Sequence, residues 1–145
     1  MPRLNTMPMG AFVLGVAGLV PFLGFAALSV SGTDGGFGMI GLSPRTILSA
    51  YGAVIASFLG GIRWGAAAAR SAGNADYLLA VVPSLLAWAA LAVPAPWDLR
   101  MLGGLVLLWG VIDQDLSRRG LAPPWMGKLR LILSAVAGVS LLVAA

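Results

Sequence analysis

Ile47-Leu48-Ser49-Ala50-Tyr51-Gly52-Ala53-Val54-Ile55-Ala56-Ser57-Phe58-Leu59-Gly60-Gly61-Ile62-Arg63-Trp64-Gly65-Ala66-Ala67-Ala68-Ala69 is a 23-residue run with a single charge, Arg63. A helix needs about 20 mostly apolar residues, rising about 1.5 Å each, to cross a bilayer. No soluble amphipathic helix would carry a run this long with its polar face missing. The segment therefore reads as a transmembrane helix, and the rest of the chain follows its lead. Of 145 residues, 59% are hydrophobic and 10% charged, with a mean hydropathy of +0.95. A soluble domain carries roughly a quarter charged residues, so this chain lacks the polar surface to face water. The fold class expected is all-α, a polytopic transmembrane helical bundle.

Working outward, Met9 to Val30 supplies a first span, uncharged and interrupted by Pro21. Residues 76–94 supply a third, containing Pro83, and 125–145 a fifth. The fourth, 97–116, is the weakest, because its uncharged core from Met101 to Ile112 is only 12 residues long. Ser31-Gly32-Thr33-Asp34-Gly35-Gly36, followed by the apolar piece Phe37 to Leu42, separates spans one and two. Ser43 is placed to cap a helix with Pro44 at its first position. Ser71-Ala72-Gly73-Asn74, Pro94-Ala95-Pro96 and Gly120 to Pro124 break the remaining spans. Short linkers of this kind make consecutive helices antiparallel neighbours. A signal peptide is the competing reading for Met9 to Val30, but that stretch exceeds the usual apolar core of about 7–15 residues.

Basic residues fix the expected orientation. Arg3, Arg70, Arg118, Arg119, Lys128 and Arg130 fall on one side, and Arg45 and Arg100 on the other, six against two. Positive charge is retained in the cytoplasm, so the N-terminus is expected inside and the C-terminus outside, in a cell inner membrane. The same charges read as headgroup contacts and not as a nucleic-acid surface. Membrane lipids are the expected partners, with a membrane-protein partner or a second copy of the chain.

The chemistry available is narrow. Histidine and cysteine are absent, and all five acids are aspartates. Zinc sites, thiol nucleophiles and histidine-based acid–base catalysis are excluded, and no cofactor is expected. Span two carries small residues four apart, Ala53, Ser57, Gly61, Gly65 and Ala69, with a second stripe at Gly52, Ala56 and Gly60. Small residues let helices approach closely in lipid, so the stripe predicts that Gly61 lies at a helix contact, with a partner either within the chain or in a second copy of it. Arg63, several residues inside the cytoplasmic boundary, needs an acid from another helix. Asp113 lies at similar depth and Asp115 and Asp76 slightly shallower, and a pair between Arg63 and Asp113, or failing that Asp115, is the expectation. Trp64 and Trp109 are placed to wall such a site. This constellation reads either as a structural ion pair or as a polar site for an anionic headgroup or small solute.

The stretch Tyr51 to Gly65 resembles the signature of a family of small membrane proteins, the transmembrane protein 69 family (DUF3429). Gly18-Leu19-Val20-Pro21-Phe22, Val82-Pro83-Ser84-Leu85-Leu86-Ala87-Trp88, the region from Trp109 to Arg119, and Leu121 to Arg130 with Pro124-Trp125 are similar to it as well. The resemblance implies five helices, with bacterial members in the inner membrane and animal members in mitochondria. It implies no activity or ligand. Where relatives carry His before the motif tryptophan this chain carries Arg63, which removes a proton-titrating role there. Function is expected to be that of an accessory or assembly protein of a membrane complex. The alternative is a small-molecule or lipid-binding protein or transporter with a polar site on the cytoplasmic side. An enzyme is disfavoured.

Overall fold

A computed structural model describes residues 6–33 and 41–145. Arg3 and the linker residues 34–40, where the apolar piece beginning at Phe37 falls, lie outside them. Seven helices follow in chain order: α1 (Met9–Ala17), α2 (Val20–Val30), α3 (Pro44–Ala69), α4 (Asn74–Leu91), α5 (Trp97–Ile112), α6 (Gln114–Arg118) and α7 (Pro124–Val143). No strand occurs among the described residues. The first apolar stretch breaks at Gly18-Leu19, leaving Pro21 in the first turn of α2. Proline lacks an N–H and its ring clashes with the carbonyl four residues back, so it starts a helix more readily than it continues one. Pro83, by contrast, lies inside an unbroken α4.

α3 begins at Pro44, three residues before the apolar run that starts at Ile47, with the Ser43 hydroxyl accepting from the Thr46 amide at 3.1 Å and Arg45 in the first turn. Among the described residues, four segments are long and apolar enough to cross a membrane: Met9–Val30, Pro44–Ala69, Asn74–Leu91 and Pro124–Val143. α5 falls short of them. Its 16 residues span about 24 Å at 1.5 Å each, against about 30 Å of hydrocarbon. The helix expected over 97–116 instead turns at Asp113, which lies between α5 and α6. α5 is also the most enclosed element, with Leu99, Leu102, Leu105, Val106 and Trp109 all buried. A helix wrapped by its own chain is not required to present an apolar surface to lipid.

Two glycine seams set the registers. A methyl group added to Gly60 of α3 would lie 2.1 Å from the Ala80 carbonyl oxygen of α4, so the two backbones touch and only glycine fits. Gly103 of α5 and Gly138 of α7 meet the same way, each added methyl lying 3.0 Å from the other's carbonyl oxygen, and Gly110 faces Ser134. Such contacts supply the van der Waals gain that holds helices together where burial from water is not available. The remaining core is apolar, with Phe22 of α2, Leu48, Leu59, Leu102, Trp109 and Leu141 buried in it.

The longer small-residue stripe on α3 does not pack within the chain. Ala53 is buried, but Gly61 and Gly65 are exposed and a methyl group added to either meets nothing within 4 Å. Ser57, half-buried, donates to the Ala53 carbonyl of its own helix at 2.9 Å. The inward face is the second stripe, Gly52, Ala56 and Gly60, continued by Arg63 and Ala67. The phase follows from Arg63: residues 3, 7 and 11 before it share its face of a helix, and an isolated charge must face protein.

Candidate functional site

The seams deliver the charged residues to one another. α3 and α4 run antiparallel through the Gly60–Ala80 contact, so one turn further along α3 Arg63 arrives opposite Asp76, one turn earlier on α4. α5 and α7 are likewise antiparallel through Gly110 and Ser134, which brings Asp113 opposite Arg130. All four residues are buried, Arg63 at 1% exposure and Asp113 at 3%. Arg63 donates through Nη1 to Asp113 Oδ1 at 3.1 Å and through Nη2 to Asp76 Oδ1 at 2.8 Å. Asp115 lies 3.5 Å from the same Nη2.

Arg130 donates to Asp113 Oδ2 at 2.6 Å and to the Leu59 carbonyl at 3.1 Å. Arg119 closes the outer side with a two-pronged contact to Asp76, at 3.0 and 2.8 Å, and a third bond to Asp115 at 2.9 Å. The cluster is thus three arginines and three aspartates with no net charge. Asp76 and Asp115 hold the half-exposed Arg119 guanidinium well above its ordinary pKa, chiefly by accepting its hydrogen bonds. Gln114 pins the turn beneath by donating to the carbonyls of Gly110 and Gly127, both at 2.9 Å.

Asp113, at the break between α5 and α6, accepts from two arginines on two helices. Arginine's planar fork suits this bridging, since it can satisfy two carboxylates at once without losing its charge. At the opposite end of α3, Arg45 pairs with Asp98 at the start of α5, Nη1 to Oδ2 at 2.9 Å. Ion pairs at both ends show that α3 and α5 run parallel.

Of the residues singled out from sequence, Arg63, Asp113 and Asp115 meet in this cluster. Trp64 does not join it: half-exposed, it packs edge-on against Tyr77 with ring centroids 4.9 Å apart. Consecutive helical positions are about 100° apart, so an inward Arg63 turns Trp64 outward. Trp109 is buried in the core, and its indole N–H has no acceptor among the described residues. Arg119 and Arg130 were read only as orienting charges. The signal available for Arg130 was its position six residues inside α7, too deep for a headgroup contact unless paired.

Beside the cluster, a cavity of about 380 Å³ runs between α1, α2, α3 and α7. Its walls are aliphatic and aromatic apart from Arg130 and Ser134. The Nε atoms of Arg130 and Arg63 are buried with no acceptor among the described residues.

The family model described as protein of unknown function, DUF3429, matches residues 7–145. The chain is also similar to transmembrane protein 69 of Xenopus tropicalis, 35% identical over 145 residues, covering 95% of this chain and 54% of that one. It therefore spans about half the length of the curated relative it matches. No solved structure matches.

Proposed function

The chain belongs to the DUF3429 family, and from that premise we propose that it is a non-catalytic accessory or assembly subunit of a membrane complex. We infer five crossings, with α5 as the fourth, the N-terminus in the cytoplasm and the C-terminus outside, in a cell inner membrane. The six-to-two division of basic residues supports that orientation. Counting α5 as a crossing also puts Arg63, Asp76, Asp113 and Arg130 at one level, in keeping with their ion pairs.

The observation that carries the accessory role is the uncovered strip on α3. Gly61 and Gly65 lie exposed on the helix most engaged in the bundle, where a second transmembrane helix could approach the backbone closely. The charge cluster favours the same reading. Each of its carboxylates is held by at least two arginines, so none stands ready as a base. A polar ligand at Arg63 and Asp113 would have to break these pairs, which makes the solute-site alternative the weaker of the two.

The test is a photo-cross-linking residue placed at Gly61 or Gly65 in native membranes, with Leu85 on the outer face of α4 as control. The reading expects a discrete adduct with another protein at the α3 positions and none at Leu85. Adducts with lipid alone, or only with a second copy of the chain, contradict it.

A further inference from the structure

The cavity beside the cluster has the dimensions of one leaflet. Its wall on α7 is a single helical face, Trp125, Leu129, Leu133 and Ala137, with Arg130 among them. From Trp125 to Ala137 that face rises about 18 Å at 1.5 Å per residue, close to half of a hydrocarbon core about 30 Å thick. Trp125 lies in the first turn of α7, where tryptophan marks the headgroup level. Phe22, packed on Tyr51 with centroids 4.9 Å apart, stands at the deep end. A volume of about 380 Å³ falls within the roughly 300–1,000 Å³ of small-ligand sites.

Two features make this an amphiphile's site and not merely loose packing. Arg130 is only 7% exposed, yet its Nε has no acceptor although its Nη2 serves both Asp113 and Leu59. A buried donor left unmet costs about 1–3 kcal/mol, and this one belongs to a side chain that lines the cavity. It lies five residues, about 7–8 Å, deeper than Trp125, the depth of an ester carbonyl just below a headgroup. Lys128, exposed in the same turn of α7 and in no ion pair among the described residues, adds attraction for a negative headgroup.

We propose that this cavity binds one acyl chain of an anionic glycerophospholipid from the leaflet at the Trp125 end, its ester carbonyl accepting a hydrogen bond from Arg130 Nε. The site is independent of the accessory role and would stand if that role failed.

The full chain in nanodiscs of phosphatidylcholine, doped with phosphatidylglycerol bearing a mid-chain diazirine, supplies the test. Photolysis should place adducts on Ala11 to Gly15 and Leu129 to Leu133, and these should saturate with dose. Unlabelled phosphatidylglycerol should displace them, and its ether-linked analogue, lacking the carbonyl, should do so several-fold less well. Leu133→Trp or Leu129→Trp, filling the cavity, should lower these adducts several-fold while leaving those on the outer face of α4 around Leu85 unchanged. Adducts that track exposure evenly and never saturate overturn the site, as does a cavity that remains unlabelled. Equal competition by the ester and ether lipids overturns the Arg130 contact.

Discussion

The charged end of the bundle and the first apolar stretch of the chain, Met9–Val30, are held by different physics. Around Arg63, four segments of the chain are tied by ion pairs within 3.5 Å and by backbone contacts that only glycine permits. α1 has no buried residue, and only 11% of the most apolar window of Met9–Val30 is buried, against 39% for α3. The Tyr51 hydroxyl ties this stretch to α3 by donating to the Gly18 carbonyl at 2.9 Å. Hydropathy alone ranks these regions the other way round, since the first stretch is the more apolar. In lipid, apolar surface provides no drive for one helix to cover another. The polar and small residues decide which helices hold together, and a merely greasy helix lies against the bundle and leaves space beneath it.

Removing the charge at the centre should have the largest effect. Arg63→Met takes one of two arginines from Asp76 and from Asp113 and leaves the buried cluster with an uncompensated negative charge, and breaking a buried network in this way destabilises by about 3–5 kcal/mol. Folded yield in membranes and thermal midpoint in detergent would both fall sharply. An unchanged midpoint would show that the cluster is far more hydrated than its burial indicates.

Neighbouring glycines sharpen the contrast. Gly60→Leu drives a side chain into the Ala80 carbonyl, and overpacking of this kind typically costs about 1–3 kcal/mol, here toward the upper end because backbone must move. Gly61→Leu should remain within about 0.5 kcal/mol of the parent, as surface changes do. Equal losses in thermal midpoint would mean that Gly61 is covered even in the isolated chain. The smallest effect belongs to α1. Leu14→Ala removes a side chain 74% exposed and should shift the midpoint by no more than about 0.5 kcal/mol.

Much of this was legible in the sequence, and particular residues show why the rest was not. The bundle class followed from long apolar runs, and the depth match between Arg63 and Asp113 anticipated their contact. Trp64 was misplaced, and the partner of the stripe through Gly61 was left open between this chain and another, because a periodic pattern gives a face without saying which way it points. The phase of Arg63 settles that question, since a lone charge on a spanning helix must face protein, carrying Gly60, Ala56 and Gly52 inward with it. α5 was obscured for the opposite reason. Asp98 and Arg100 lower its apolar character, but Asp98 is neutralised by Arg45 across 53 residues of sequence, a pairing that no local reading supplies. Arg130 was hidden by its company, since beside Lys128 it resembles one more orienting charge.

The central claim is that the buried arginines and aspartates act as one neutral unit. A double-mutant cycle of Arg63→Met and Asp113→Asn on the thermal midpoint tests it most directly. Either change alone leaves the cluster with an uncompensated charge, whereas together they leave Arg119 and Arg130 with Asp76 and Asp115, neutral again. The account predicts that the double variant is less destabilised than the sum of the singles, with a coupling of about 1–3 kcal/mol, within the range found for residues of one network. Strict additivity would contradict it.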